Sequence, residues 1–437
     1  MQTVTGPLSR PVAASRSPRS WRVGSIVQRD EPTRIRVTLL GVVVFAAGLG
    51  AALKINLVGE IYVSELVLLL LLLVALPMGL PKLKGNRIFA VVLVASAMTM
   101  FGYILSDMVR GTSEAQYLRG WARNAMVVTS IIVLCALAAR DRRTLWWFLL
   151  GMAVGSIAFF EIVQRLPMRA PQYWKFNYAM NVSLLLGCMA AFLPRRVIAI
   201  LFVLLGVFSV TKDFRIHGAI CVLVGALLWA VGGTDRRRAV TSMLKVGAVG
   251  TLGILVALVL VNLTKDDHTE QRRANSNVGR LLGIQVGLAA IAHSPIIGYG
   301  SWPTDPELVR ISREVTREHE ARTGRSAGEE VITNAHSQIL NAWLEGGIFG
   351  VALFGTVLVL LFWGCFHGLV RRVPDLFTPL IALVLFMQAW NLVMSPLGSA
   401  GRSLFAVSVA LIVMIACEQA RAQMRPRHAP VGSPRRR

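Results

Sequence analysis

The chain has 437 residues, 54% of them hydrophobic and 16% charged, with a mean hydropathy of +0.59 and a formal net charge of +23. A soluble domain carries roughly 25% charged residues, so this composition excludes an ordinary soluble globule. In a soluble protein such a charge would suggest a nucleic-acid partner; here membrane topology accounts for it, and no nucleic acid is expected.

Apolar runs of about 18 residues or more recur along the whole length, each long enough to cross a ~30 Å hydrocarbon core as a helix. Backbone groups in lipid must be satisfied within a helix or a closed barrel. The runs do not alternate apolar and polar residues as barrel strands do. The expectation is an all-α polytopic membrane protein with about twelve spans.

Residues 1–34, rich in Arg, Pro and Ser and without an apolar core, read as a disordered basic cytoplasmic tail, not a cleavable signal peptide. Spans one to nine are expected at 35–53, 61–80, 88–106, 118–139, 145–164, 178–194, 197–211, 216–233 and 244–263, so that 35–263 is a first membrane block. A large extracytoplasmic loop follows at 264–345. Within it, 281–292 is apolar but too short to span and reads as a helix against the membrane surface. The stretch 303–325 reads as a solvated helix, with Glu314, Arg317 and Glu318 at i, i+3 and i+4. Ser294-Pro295 and Gly298-Tyr299-Gly300 break the chain between the two. Spans ten to twelve are expected at 346–368, 376–395 and 402–420, making 346–420 a second membrane block, with 421–437 a second basic cytoplasmic tail.

Orientation follows from Lys and Arg in the short loops. With the N-terminus inside, Lys82, Lys84 and Arg87, Arg140 to Arg143, Arg195 and Arg196, and Arg236 to Arg238 all face the cytoplasm, as do both tails. The reverse orientation places these clusters outside. All five cysteines lie in apolar runs and read as packing residues.

Basic groups on the other side of the membrane stand out against this rule. They are Arg119 and Arg123 at the outer end of span four; Arg165, Arg169 and Lys175 after span five; Lys212 and Arg215 between spans seven and eight; Arg280 in the loop; and Arg402 opening the last span. Ionisable groups at a membrane boundary are functional candidates. Guanidinium forks suit phosphate or pyrophosphate; the alternative for any one of them is anchoring to membrane lipid headgroups.

The run Asn334-Ala335-His336-Ser337 to Gly350 closes the loop. Helical spacing would put His336, Leu340, Trp343 and Gly347 on one face, looking into the bundle. Beside arginines, the cationic form of His336 is disfavoured, and a neutral imidazole can act as a general base. Glu345 is a candidate to orient His336 or cap the span, although nine residues of straight helix separate them by about 13 Å. His217, close to Arg215, is a candidate supporting residue. No histidine has partners at metal-ligand spacing and no phosphate-binding loop for ATP is present in the sequence, so neither metal nor cofactor is expected.

Taken in order, Arg280 opening an amphipathic stretch, Ser294-Pro295, Gly298-Tyr299-Gly300, Asn334-x-His336 and the downstream Glu345-Gly346-Gly347 resemble the O-antigen ligase and polymerase superfamily. Motif detail covers about residues 200–360, and the topology extends the resemblance to the whole chain. The resemblance implies a glycosyltransferase fold of the GT-C type, with the periplasmic loop between spans nine and ten, in a bacterial inner membrane. It implies transfer of a glycan from undecaprenyl pyrophosphate to the lipid A-core oligosaccharide, without metal or ATP. It also implies Arg215, Arg280 and His336 as the catalytic residues, with Lys212, Arg165 and Arg169 as further candidates at the pyrophosphate. The family more often has His-Asn where this chain has His336-Ser337, so Asn334 and Asn341 become the candidates for the amide's role. The short basic C-terminal tail favours a lipopolysaccharide ligase over a protein glycosyltransferase. A polymerase of the same superfamily and a transporter of lipid-linked glycan, for which Glu161, near a span end, is the main candidate, are the alternatives.

Overall fold

The computed structural model describes residues 37–56, 59–165, 173–230, 267–302, 305–324, 333–370 and 375–424, with Ala248, Leu255 and Val331. Its helices are α1 (Leu39–Leu49), α2 (Val63–Leu83), α3 (Arg87–Arg110), α4 (Glu114–Arg140), α5 (Arg143–Phe159), α6 (Ala179–Met189), α7 (Arg195–Thr211), α8 (Arg215–Ala230), α9 (Asp267–His293), α10 (Pro306–Thr323), α11 (Gln338–Gly350), α12 (Ala352–Cys365), α13 (Thr378–Met394) and α14 (Ser399–Met424).

Six helical stretches among the described residues are long and apolar enough to cross a membrane: Val63–Leu83, Arg87–Arg110, Glu114–Arg140, Arg143–Gln164, Ala352–Leu369 and Gly401–Arg421. They coincide with expected spans two to five, ten and twelve. Spans one, eight and eleven are shorter apolar helices. Spans six and seven form α6, only 11 residues long, and α7 of 17 residues. The ninth span at 244–263 and both expected tails, apart from the end of α14, lie outside the described residues. The chain is thus a predominantly helical, multi-pass membrane protein.

One departure from all-helical structure is a short antiparallel hairpin, β1 (Lys54–Asn56) with β2 (Glu60–Tyr62), which feeds directly into α2. Its register places Lys54 opposite Tyr62, and Lys54 Nζ sits 2.8 Å from Glu60 Oε1. A segment of only three residues per strand falls below the length at which alternation can be read from a sequence.

Glycines let the spans approach closely. A Cβ on Gly151 would stand 2.2 Å from the Phe45 carbonyl oxygen, and one on Gly48 would stand 2.3 Å from that of Phe148, so α1 and α5 touch backbone to backbone. Small residues at a helix interface are the usual means of such contact in lipid. The Gly346-x-x-x-Gly350 spacing does the same work: a Cβ on Gly102 of α3 would lie 2.5 Å from Gly350 N and 2.6 Å from Gly346 O.

The expected tenth span, 346–368, is two helices. The first, α11, begins earlier, at Gln338, because Ser337 Oγ accepts from the Leu340 amide as an N-cap. It is interrupted at Gly347, whose φ of 63° and ψ of −160° no helix contains. Backbone competition is the cause. The loop from Ser294 to Trp302 crosses α11 there. Tyr299 N–H donates to Leu344 O at 2.8 Å, Gly300 N–H to Glu345 O at 3.0 Å, and Ile348 N–H to Ile296 O at 3.3 Å. Carbonyls that would serve the helix's last turn serve the loop instead. Thr99 Oγ1 of α3 bridges the break, donating to Gly350 O at 3.1 Å and accepting from the Leu353 amide at 2.9 Å.

Gly347→Ala tests this junction. The new Cβ would lie 2.0 Å from Ile296 O, at a φ that side chains rarely adopt. We expect a loss of at least about 2 kcal/mol from strain and displacement, read as a lowered midpoint of thermal unfolding in detergent; an unchanged midpoint would mean that the loop does not hold the break.

Helices α9, α10 and α11 share a small core, in which Val286 and Ala290 of α9, Tyr299, Leu308 and Ile311 of α10, and Leu344 of α11 are all buried. Asp305 caps α10 by accepting from the Glu307 amide, and Arg310 pairs with Glu314 at 3.2 Å. This core fixes α9 against the start of α11.

Candidate functional site

His336 does not lie on α11. It precedes the helix with a φ of 48°, in the left-handed region, so the expected helical face of His336, Leu340, Trp343 and Gly347 does not exist. Two asparagines impose this conformation. Asn334 Oδ1 accepts from the His336 amide at 2.9 Å and from Asn341 Nδ2 at 2.8 Å. Asn341 Oδ1 accepts from the Ala335 amide at 2.8 Å. Ser337 ties the turn to the next span by donating to Leu392 O at 3.1 Å. A bulky residue held at positive φ is strained, and such strain collects at functional sites.

The imidazole lies on the surface of α9. Gly283 leaves the room: a Cβ there would come within 3.3 Å of His336 Cδ2 and 2.7 Å of Asn334 O. Arg280 is three residues earlier, on the same helical face, and is exposed. Burial, and then the Arg280 charge, push His336 below the ordinary histidine range. Among the described residues, neither ring nitrogen has a hydrogen-bond partner, so both remain available to a substrate.

The other basic candidates form a separate group at the α7–α8 turn. Arg215 opens α8, half exposed, with Nε 3.8 Å from Asp213, itself at a φ of 60°. Lys212 Nζ lies 5.7 Å from the centre of the Phe208 ring. Trp174 Nε1 donates to Ser209 Oγ at 3.2 Å, linking the segment after α5 to this turn. Arg165 ends that helix at a φ of 44°, its Nε bonded to Ile162 O. Arg169 lies outside the described residues. No hydrogen bond or ion pair among the described residues joins Arg215 to Arg280 or His336.

His217 is fully buried, its ring between Ser183 Oγ at 2.9 Å and Ser209 Oγ at 3.0 Å and stacked on Phe214. It fixes the α6–α7–α8 packing beneath Arg215. Glu345 serves the opposite side of α11 from the loop turn: its carboxylate accepts from Tyr103 Oη at 2.6 Å and pairs with Arg123. It contacts α3 and α4, and the length of α11 keeps it from His336. Glu161 lies near the end of the span 143–164, as expected, accepting from the Tyr173 and Tyr178 hydroxyls.

Two residues absent from the sequence reading organise the site's support. Asp107, buried near the end of α3, accepts from the Ser301 amide at 2.6 Å, Ser301 Oγ at 2.9 Å and Trp121 Nε1 at 2.8 Å. Arg110, one turn on, donates to Gly298 O, Ser294 Oγ and Glu307, and covers the Tyr299 ring at 4.5 Å. Both are charged residues in the last turn of an apolar span, which was the signal available for them.

The segment from α7 to the start of α12 therefore holds Lys212, Arg215 and Arg280, the strained histidine and the loop that supports it. Residues 200–355 match the family described as O-Antigen ligase. The match covers a little over a third of the chain and includes Lys212, Arg215, His217, Arg280, Asn334, His336, Asn341 and Glu345. The match supports a function of O-antigen ligase or polymerase type and a lipid-linked polysaccharide in a membrane setting. The spans α2 to α5 and α14 lie outside the O-antigen ligase match. No curated protein matches the chain.

Proposed function

We propose that the protein is an O-antigen ligase that transfers a glycan from undecaprenyl pyrophosphate to the lipid A-core oligosaccharide at the periplasmic face of the inner membrane. Support comes above all from His336, fixed at positive φ by Asn334 beside Arg280, its ring nitrogens without a hydrogen-bond partner among the described residues, inside the segment that matches the family. In this reading the chain has about twelve spans in a GT-C-like arrangement, both termini in the cytoplasm and the 264–345 loop in the periplasm, as the distribution of Lys and Arg requires.

The chemistry follows from these groups. The acceptor hydroxyl loses its proton to a ring nitrogen of His336 as its oxygen attacks the anomeric carbon. The bond from that carbon to the pyrophosphate oxygen breaks, the configuration inverts, and undecaprenyl pyrophosphate leaves. Negative charge growing on the leaving group is met by Arg280 and Arg215, whose forks donate paired hydrogen bonds to phosphoryl oxygens. Lys212 and Arg165 add positive potential at the Arg215 end. Asn334 and Asn341 hold the base in place. The donor is already activated, so no ATP is needed.

The test uses purified protein in detergent with undecaprenyl-pyrophosphate O-antigen and lipid A-core, in EDTA and without ATP. A ladder on the core band is the expected product. Lengthening of the donor alone would make the enzyme a polymerase; donor crossing a sealed bilayer with neither band changed would make it a transporter.

The pH profile offers a second check. The base works neutral, so activity should be lost as pH falls through the His336 pKa, below the usual histidine range. Removing the Arg280 charge raises that pKa. The residual activity of Arg280→Ala should therefore show its acid limb at higher pH than the wild type, and an unmoved limb would argue against His336 as the base.

A further inference from the structure

A third group of basic residues, outside the matched segment, lines a cavity of about 90 Å³ where β2, α4, the loop at Trp302 and the start of α14 meet. Its walls include Glu60, Tyr62, Arg119, Arg123, Trp302 and Arg402. A liquid water occupies about 30 Å³, so the space suits a group of a few heavy atoms.

The carboxylates nearby are committed. Glu345 is bound to Arg123 and Tyr103. Glu65 Oε1 sits 3.3 Å from Arg402 Nε, in a pair with both side chains almost wholly buried. Glu60 turns its carboxylate to Lys54, while its carbonyl accepts from Arg402 at 2.7 Å. Lys54, Arg119, Arg123 and Arg402 thus face Glu60, Glu65 and Glu345, which leaves one positive charge over. Arg119, exposed in the cavity wall, has no carboxylate partner among the described residues. Arg123 Nε is buried with no acceptor. Aromatic faces hold two of the guanidiniums in place: Trp302, strained at a φ of 51°, lies 4.6 Å from Arg123, and Tyr62 lies 4.6 Å from Arg402. Leu397 and Gly398, at the N-terminal end of the long helix α14, complete the wall and bring the positive end of its dipole.

We infer that this cavity is an anion site that binds a phosphate group, separate from the His336–Arg280 pair, with Arg119 as the residue that closes on the ligand. A guanidinium with no carboxylate partner among the described residues, a fixed guanidinium beside it and a surplus charge in a small cavity fit tetrahedral phosphoryl oxygens. The phosphate can come from a soluble phosphate or from the headgroup of a membrane lipid.

The test follows the thermal midpoint of the full chain, purified in an uncharged detergent, against inorganic phosphate at constant ionic strength, and in phosphatidylcholine nanodiscs with or without phosphatidylglycerol. A bound ligand raises the midpoint with concentration. Stabilisation should occur in the wild type and in Arg280→Ala alike. In Arg119→Gln the concentration for half effect should rise about tenfold or more, the loss of one charge-assisted contact, and Arg119→Lys should recover part of it. Arg119-dependent stabilisation by free phosphate identifies a soluble group; the same dependence seen only with phosphatidylglycerol identifies a lipid headgroup. Equal stabilisation of wild type and Arg119→Gln, or none with either probe, overturns the inference.

Discussion

Replacing His336 by alanine is expected to lower glycan transfer by about 10²- to 10⁴-fold, the usual contribution of a positioned general base, while the protein still inserts and folds. The separation of the two effects is what the local structure predicts. The His336 ring has no hydrogen-bond partner among the described residues, whereas the turn around it is held by Asn334, Asn341 and Ser337 through contacts that do not involve the imidazole. Alanine keeps the Cβ that a φ of 48° disfavours, so the backbone of the turn and the cap of α11 are left much as they are. Asn334→Ala should show the complementary pattern. It frees the backbone that sets the ring, so transfer falls although the base is present. The measurement is the ladder assay alongside the thermal midpoint of each variant. Near wild-type ligation in His336→Ala would remove the general-base role.

Glu345→Ala is the second large effect, and it should appear in stability. The carboxylate joins α11 to α3 through Tyr103 and to α4 through Arg123, with the Glu345 and Arg123 side chains only 11% and 15% exposed. Taking it away leaves the Arg123 guanidinium between the Tyr103 and Trp302 rings with no carboxylate in contact. Breaking one side of a buried pair costs about 3–5 kcal/mol, because the remaining charge is uncompensated. Glu345→Gln keeps the shape and one acceptor and should cost less. Thermal unfolding of both variants in the same detergent is the check. A midpoint for Glu345→Ala within a degree of the wild type would show that the pair adds nothing net.

Much of the architecture was legible because lipid is an undemanding reader of sequence. Long apolar runs between charged loops located spans two to five, ten and twelve, and of the arginines named from the sequence the structure brings Arg119, Arg123 and Arg402 to one cavity and Arg280 beside His336. What could not be read is where the backbone hydrogen bonds change partners. Periodicity carries α11 straight through Gly347 and extends it back over His336. A helix period describes side-chain burial: it is blind to the loop that takes carbonyls at Gly347 and to the Asn334, Asn341 and Ser337 side chains that bind the backbone around His336. Asp107 and Arg110 were overlooked for a related reason. They resemble the polar end of an ordinary span, and their importance lies in the loop from Ser294 to Trp302 that only tertiary structure brings to them.

The break at Gly347 also bears on the order in which the protein is assembled. The stretch 352–369 is apolar enough to enter the bilayer on its own account, whereas α11 is joined to the rest by Tyr103, Arg123 and the backbone of residues 296–300. Those partners must already be in place, because α3 and α4 carry the side chains and Arg110 and Asp107 shape the loop. Synthesis supplies them first. The histidine turn waits longer still: Ser337 donates to Leu392 O and Gln338 accepts from Gln388, both on α13, which synthesis supplies after α11.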